Sequence, residues 1–141
     1  MANDNKELVS SMLRKMTKLN YIKPGDVTPI YLQIIEQIKK CIATGELQAD
    51  EKLPAVRELA VTAGVNPNTM QKALSQLENE GYLYSIRTSG RYVSKQADKS
   101  QQLQKELTKQ YADAFIENMK SLGYEKDEVV KILADYISGS K

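Results

Sequence analysis

A chain of 141 residues, 41% of them hydrophobic and 27% charged, has the size and balance of one globular domain, or of a small one with an appendage, and not of a disordered polymer. Its net charge of +2 is too small for a tail that coats nucleic acid by charge alone. Histidine is absent and Cys41 is the only cysteine, which removes the commonest general base, the commonest metal ligand, any internal disulfide and any cysteine-based zinc site.

Residues 1–5 are polar, and Leu8, Val9, Met12, Leu13, Met16 and Leu19 then recur at helical spacing. A helix over 6–19 is expected there, in an N-terminal extension covering 1–20. Pro24-Gly25 and Pro29 mark the following stretch as a connector. From Pro29 to Thr44 the pattern is amphipathic. Tyr31, Ile34, Ile35, Ile38 and Ile42 form one stripe, with Gln33, Glu36, Gln37, Lys39 and Lys40 opposite and Gly45 as the stop. Cys41 lies on the flank of that stripe and reads as a small core hydrophobe rather than a reactive thiol.

Leu47–Leu53 reads as irregular, and a short helix from Ala55 to Ala63 presents Val56, Leu59, Ala60 and Ala63 on one face, ending at Gly64. The next start is well punctuated. Asn66 can cap a helix, and Pro67 at its first position has no donor to leave unpaired. That helix is expected to run to about Glu80, before Gly81. Tyr82–Ile86 and Arg91–Val93 are aromatic and β-branched, and Arg87-Thr88-Ser89-Gly90 between them predicts a hairpin with a four-residue loop. Helical spacing returns after Lys95. Asp98–Gln101 resembles a capping box, and Leu103, Leu107, Tyr111, Ala114, Phe115 and Leu122 form a stripe ending at Gly123. A last helix over about 126–137 carries Val129, Val130, Leu133, Tyr136 and Ile137.

Three helices, a tight turn at Gly64-Val65-Asn66 and then a hairpin are the plan of a winged helix-turn-helix. The third helix buries Met70, Ala73, Leu74 and Leu77 and leaves Asn68, Gln71, Lys72 and Ser75 on its other side, with no acid among them. A face meant for a duplex needs hydrogen-bonding groups for base edges and cations for phosphate, and no repelling carboxylate. The acids Glu78 and Glu80 come only in the last turn, and Tyr84–Lys95 holds three cations and no acid, suited to phosphate or the minor groove. The same exposed helix and hairpin could instead serve a protein partner, although such modules usually present apolar or acidic surfaces.

Leu53-Pro54-Ala55-Val56-Arg57-Glu58-Leu59-Ala60, Gly64-Val65-Asn66-Pro67-Asn68-Thr69-Met70, Glu80-Gly81-Tyr82-Leu83 and Gly90-Arg91-Tyr92-Val93 resemble the GntR family of bacterial transcription regulators. The Asn-Pro-Asn-Thr turn and the short C-terminal part are similar to its YtrA-like subfamily. The resemblance implies a mainly α fold with a small β-hairpin: a winged helix-turn-helix domain over 21–95, then a two-helix dimerisation segment over 96–141. It further implies that Arg57 contacts DNA, that Asn66, Asn68, Thr69, Gln71 and Lys72 read the major groove, and that Arg87, Thr88, Ser89, Gly90 and Arg91 enter the minor groove. Many relatives carry arginine where Pro67 stands and often where Gln71 stands, so up to two strong guanine-reading forks are missing here.

The two C-terminal helices cannot enclose a core alone, and their stripes must be buried somewhere. A homodimer packed through Leu103, Leu107, Tyr111, Phe115, Leu122, Val130, Leu133 and Ile137 is expected, placing two recognition helices on a pseudo-palindromic operator. About 45 residues after Lys95 are too few for a closed pocket of the usual size, so any small-molecule effector must sit at the dimer interface or between the domains. Glu125-Asp127-Glu128 is the densest acidic cluster, but acids at a helix start complement its dipole. No apolar run is long enough for a membrane span, and Met1–Leu8 does not read as a secretory signal. The expectation is a cytoplasmic, non-enzymatic repressor that uses double-stranded DNA, a second copy of itself and no metal or cofactor.

Overall fold

The computed structural model describes residues 28–95 and 97–139, and the helix expected over 6–19 lies outside them. The chain divides into two compact units, one running to Gln104 and the other from Lys105.

The first unit holds three helices and a hairpin. Helix α1 spans Ile30–Ala43 and buries Ile34, Ile35, Ile38, Cys41 and Ile42, so Cys41 takes the core place expected of it. Pro29 is its extended N-cap residue, and the Gln33 amide donates to the Thr28 carbonyl at 2.8 Å, fixing how the chain enters. Helix α2 spans Val56–Ala63 and stops at Gly64, whose left-handed φ of 69° a side chain would disfavour. The Val65 N–H then reaches back to the Ala60 carbonyl, and this tight reversal aims the next helix.

Helix α3, Pro67–Asn79, starts as its local chemistry requires. The Asn66 side chain accepts from the Asn68 N–H at 2.8 Å, and Pro67 occupies the first turn. Met70, Ala73, Leu74 and Leu77 are buried, and α3 packs on α1, α2 and the first strand of the hairpin. This helix is the centre of the core. Strands β1 (Leu83–Ile86) and β2 (Gly90–Val93) are antiparallel, with Leu83 opposite Val93 and Ser85 opposite Arg91.

Two features of the hairpin depart from expectation. Gly90 pairs with Ile86, so the loop is Arg87-Thr88-Ser89, one residue shorter than the punctuation suggests. Gly90 itself has φ 131°, and a Cβ there would press to 3.3 Å from the Lys52 side chain. The stretch read as irregular lies along β2. The Asp50 N–H donates to the Val93 carbonyl, the Val93 N–H to Glu51, and the Leu53 N–H to Arg91. Lys52 bridges Tyr92 as a third, very short edge. Its pairing is entirely non-local, which is why no periodicity betrays it.

Helix α4 spans Ala97–Ser121, so the Asp98–Gln101 box lies inside the helix and not at its start. Leu103 and Leu107 on it are buried within the chain. Helix α5, Lys126–Ser138, opens on a reciprocal capping box in which Glu125 and Glu128 each accept from the other's backbone N–H. The acidic cluster therefore has a structural task. Val129 is buried in the second unit, while Tyr111, Phe115, Leu122, Val130, Leu133, Tyr136 and Ile137 are exposed. Among the described residues no helix is long and apolar enough to cross a membrane.

Candidate nucleic-acid interface

The start of α3 stands at the surface. Asn66, Asn68, Gln71 and Lys72 are exposed and Thr69 is half-buried. No acid occupies its first turn, so the positive end of the helix dipole and these polar groups face solvent together. Arg57, exposed near the start of α2, makes no ion pair among the described residues. Neither Glu51 nor Glu58, the acids near it in sequence, forms a salt bridge with it, and its cation stays available. Arg87 and Thr88 are exposed at the hairpin tip, and Ser89 bonds the Tyr92 hydroxyl.

Two of the expected contact residues are held by the protein. The Lys72 ammonium lies 3.9 Å from the centre of the Tyr31 ring. That cation–π contact limits the sweep of a flexible side chain while leaving its charge exposed. Arg91 is turned away from the wing tip. Its Nε stands 3.9 Å from a Glu78 carboxylate oxygen, with the two side chains 17% and 31% exposed. Its Nη1 donates to the Gln71 carbonyl oxygen at 3.4 Å, a long bond. The cationic wing is therefore one arginine poorer than its composition suggests.

The wing is braced from the other side as well. Tyr84 and Tyr92 stack with ring centres 5.5 Å apart. The Tyr84 hydroxyl donates to Asp50 at 2.8 Å, and this bond to a carboxylate, more than desolvation or charge, holds the phenol above its usual range. Asp50 reaches the bond from a left-handed backbone with φ 66°. Lys39 of α1 pairs with Glu80 at 3.4 Å and lies over the Tyr82 ring, fastening the far end of α3.

Sequence reasoning placed Tyr31 in the core stripe and treated Glu78 as remote from the site. Glu78 was in principle legible, since Gln71, Ser75 and Glu78 follow i, i+4, i+7 spacing on one face. Among the described residues no group of three acidic or cysteine side chains could hold a metal ion.

An exposed, acid-free helix start, an arginine with no ion pair among the described residues on the preceding helix, and a braced hairpin after it are the parts of a winged helix-turn-helix DNA reader. Residues 30–93 match the model of the bacterial regulatory proteins of the gntR family. The chain belongs to the GntR family. It is 36% identical over 111 residues to YhcF of Bacillus subtilis (strain 168), an uncharacterized HTH-type transcriptional regulator, covering 79% of this chain and 92% of that protein. It is 46% identical over 76 residues to the HTH-type transcriptional repressor YtrA of the same organism, covering 54% of this chain and 58% of YtrA. Among solved structures, a GntR family transcriptional regulator from Listeria monocytogenes superposes with a TM-score of 0.70 at 36% identity, over 78% of this chain and 96% of that one. The likeness to YtrA and the mainly helical winged architecture agree with what the motifs implied. The match to the gntR family falls on the winged unit of this GntR protein, a transcriptional regulator.

Proposed function

We propose that this chain is a homodimeric repressor that binds a pseudo-palindromic operator, reading the major groove with α3 and the minor groove with the β1–β2 hairpin. The observation that carries the reading is the exposed, acid-free start of α3, together with Arg57 on the preceding helix, an exposed cation with no ion pair among the described residues. Arg57 and Lys72 meet phosphate, Asn66, Asn68, Thr69 and Gln71 meet base edges, and Arg87, Thr88, Ser89 and Gly90 enter the minor groove. Residues 21–95 are the DNA-binding domain and 96–141 the dimerisation segment, acting in the cytoplasm where the template lies. The chain works by occupancy, without catalysis.

The second copy is the occupant of the exposed apolar face in the second unit. Leu122, Val130, Tyr136 and Ile137 are each more than two-thirds exposed, an arrangement costly in water for a monomer. A two-fold pair repeats the recognition helix as a palindromic operator requires. Leu103 and Leu107, buried within the chain, belong to its own packing, so the interface rests on Tyr111, Phe115, Leu122, Val130, Leu133 and Ile137. An effector that relieves repression would act where the copies meet.

The test is a footprint of the purified chain on the DNA upstream of its own gene, with sizing of the Val130→Asp/Ile137→Asp variant alongside. Two protected half-sites related by two-fold symmetry are expected, and the variant should be monomeric and protect neither at the same concentration. Absence of protection at low salt, or binding indifferent to salt, would favour a protein-binding module instead.

A further inference from the structure

A chain of polar contacts crosses from the hairpin to the recognition helix. Ser85 and Arg91 are opposite one another in the ladder, and both reach Glu78 of α3. The Ser85 hydroxyl donates to one Glu78 carboxylate oxygen, and Arg91 Nε faces the other at 3.9 Å. That Nε is buried and has no hydrogen-bond partner, so it is closed to any phosphate. The guanidinium then passes on to Gln71 through Nη1, and Gln71 Nε2 donates to the Ser75 hydroxyl at 3.2 Å.

The chemistry of this chain fixes which way the Gln71 amide points. A guanidinium has donors only, so the end of Gln71 that faces Arg91 must be the carbonyl oxygen. The Ser75 hydroxyl accepts from the other end. An amide offers two lone pairs and two N–H bonds, so each end keeps one of its own after these contacts. On this exposed residue of the recognition helix an acceptor at one end of the amide and a donor at the other remain for a base. Adenine presents the complement in the major groove, an N6 donor beside an N7 acceptor, and guanine presents two acceptors.

We propose that Arg91 is a positioning residue for base readout: held on α3 by Glu78, it orients the Gln71 amide so that each half-site is read for adenine at one position. The inference rests on the DNA-binding reading above and reverses the role first expected of Arg91, which was to grip DNA itself. An arginine that holds a phosphate steepens the salt dependence of every sequence alike. One that orients a base reader changes preference at one position and leaves that slope alone.

The experiment is selection from a randomised duplex pool by the full-length chain and by Gln71→Met, Arg91→Met and Glu78→Gln, with salt titrations of each on the selected duplex. The wild type should enrich adenine at a position where Gln71→Met has no preference. Arg91→Met should cut the preference at that position about tenfold, within the range of a bidentate base contact, with other positions and the salt slope as in wild type. Glu78→Gln, which keeps the fold's volume, should do the same more weakly and guards against misfolding of the arginine variant. The inference is overturned if Arg91→Met keeps the preference, if it weakens all sequences equally with a shallower slope, or if the Gln71-dependent base is not adenine. A wild-type chain that enriches no sequence overturns the DNA-binding reading, and this inference with it.

Discussion

Removing the Arg57 guanidinium has a consequence that can be worked out from its surroundings. Arg57 is exposed and makes no ion pair among the described residues, so Arg57→Ala should leave stability within about 0.5 kcal/mol. Arg57 and Lys72 on phosphate, with Arg87 neutralising the phosphates that flank the minor groove it enters, give each copy three cations, six in a dimer. Each phosphate neutralised contributes about −0.9 to the slope of log K against log salt, so the wild type should show a slope near −5.4, and the variant, lacking two contacts per dimer, about −3.6. Between 50 and 200 mM salt the wild type then loses about three decades of affinity and the variant about two. Fluorescence anisotropy of the footprinted duplex across a salt series reads both slopes, and urea unfolding checks the fold. A variant that folds normally and keeps the wild-type slope would show that Arg57 touches no phosphate, and the proposed docking of α2 and α3 would fail.

Met70→Ala should cost about 2–5 kcal/mol in urea unfolding, because Met70 is fully buried where α3 meets its neighbours. Asn66 separates capping from recognition: Asn66→Ala should lose about 1 kcal/mol with its bond to the Asn68 N–H, whereas Asn66→Asp should keep thermal stability and weaken operator binding by placing a carboxylate against phosphate. Tyr84 should ionise above the ordinary 10.0, since its bond to Asp50 favours the neutral phenol. The stabilisation from that bond is present below pH 10 and is lost as pH rises through the raised value. A spectrophotometric titration should show a late tyrosinate phase that is missing in Tyr84→Phe.

The parts of this molecule that local chemistry governs are readable from residue order. The isoleucine stripe of α1, the Asn66–Pro67 start of α3 and the Gly64 reversal each follow from spacing or from one residue's conformational freedom. They needed no knowledge of neighbours. The same holds for the helical C-terminal part, whose stripes follow a period of 3.6 residues whatever lies against them.

What lies against each surface is another matter, because burial and pairing join residues far apart in the chain. The edge formed by 50–53 exists only because β2 lends it hydrogen-bonding groups. Gly90 enters the ladder, and the loop shortens, because pairing register is set by both strands together. Composition counted Arg91 as a free wing cation, yet the hairpin folds onto α3 and brings Glu78 to it. Tyr31 of α1 ends beneath Lys72 of α3 for the same reason, because those two helices pack together. Residue types along the chain determined that this protein carries cations and amides suited to a duplex. Only the packing of α1, α3 and the hairpin decided which of those groups remain free to meet one, since a side chain's charge belongs to the residue but its partner belongs to the fold.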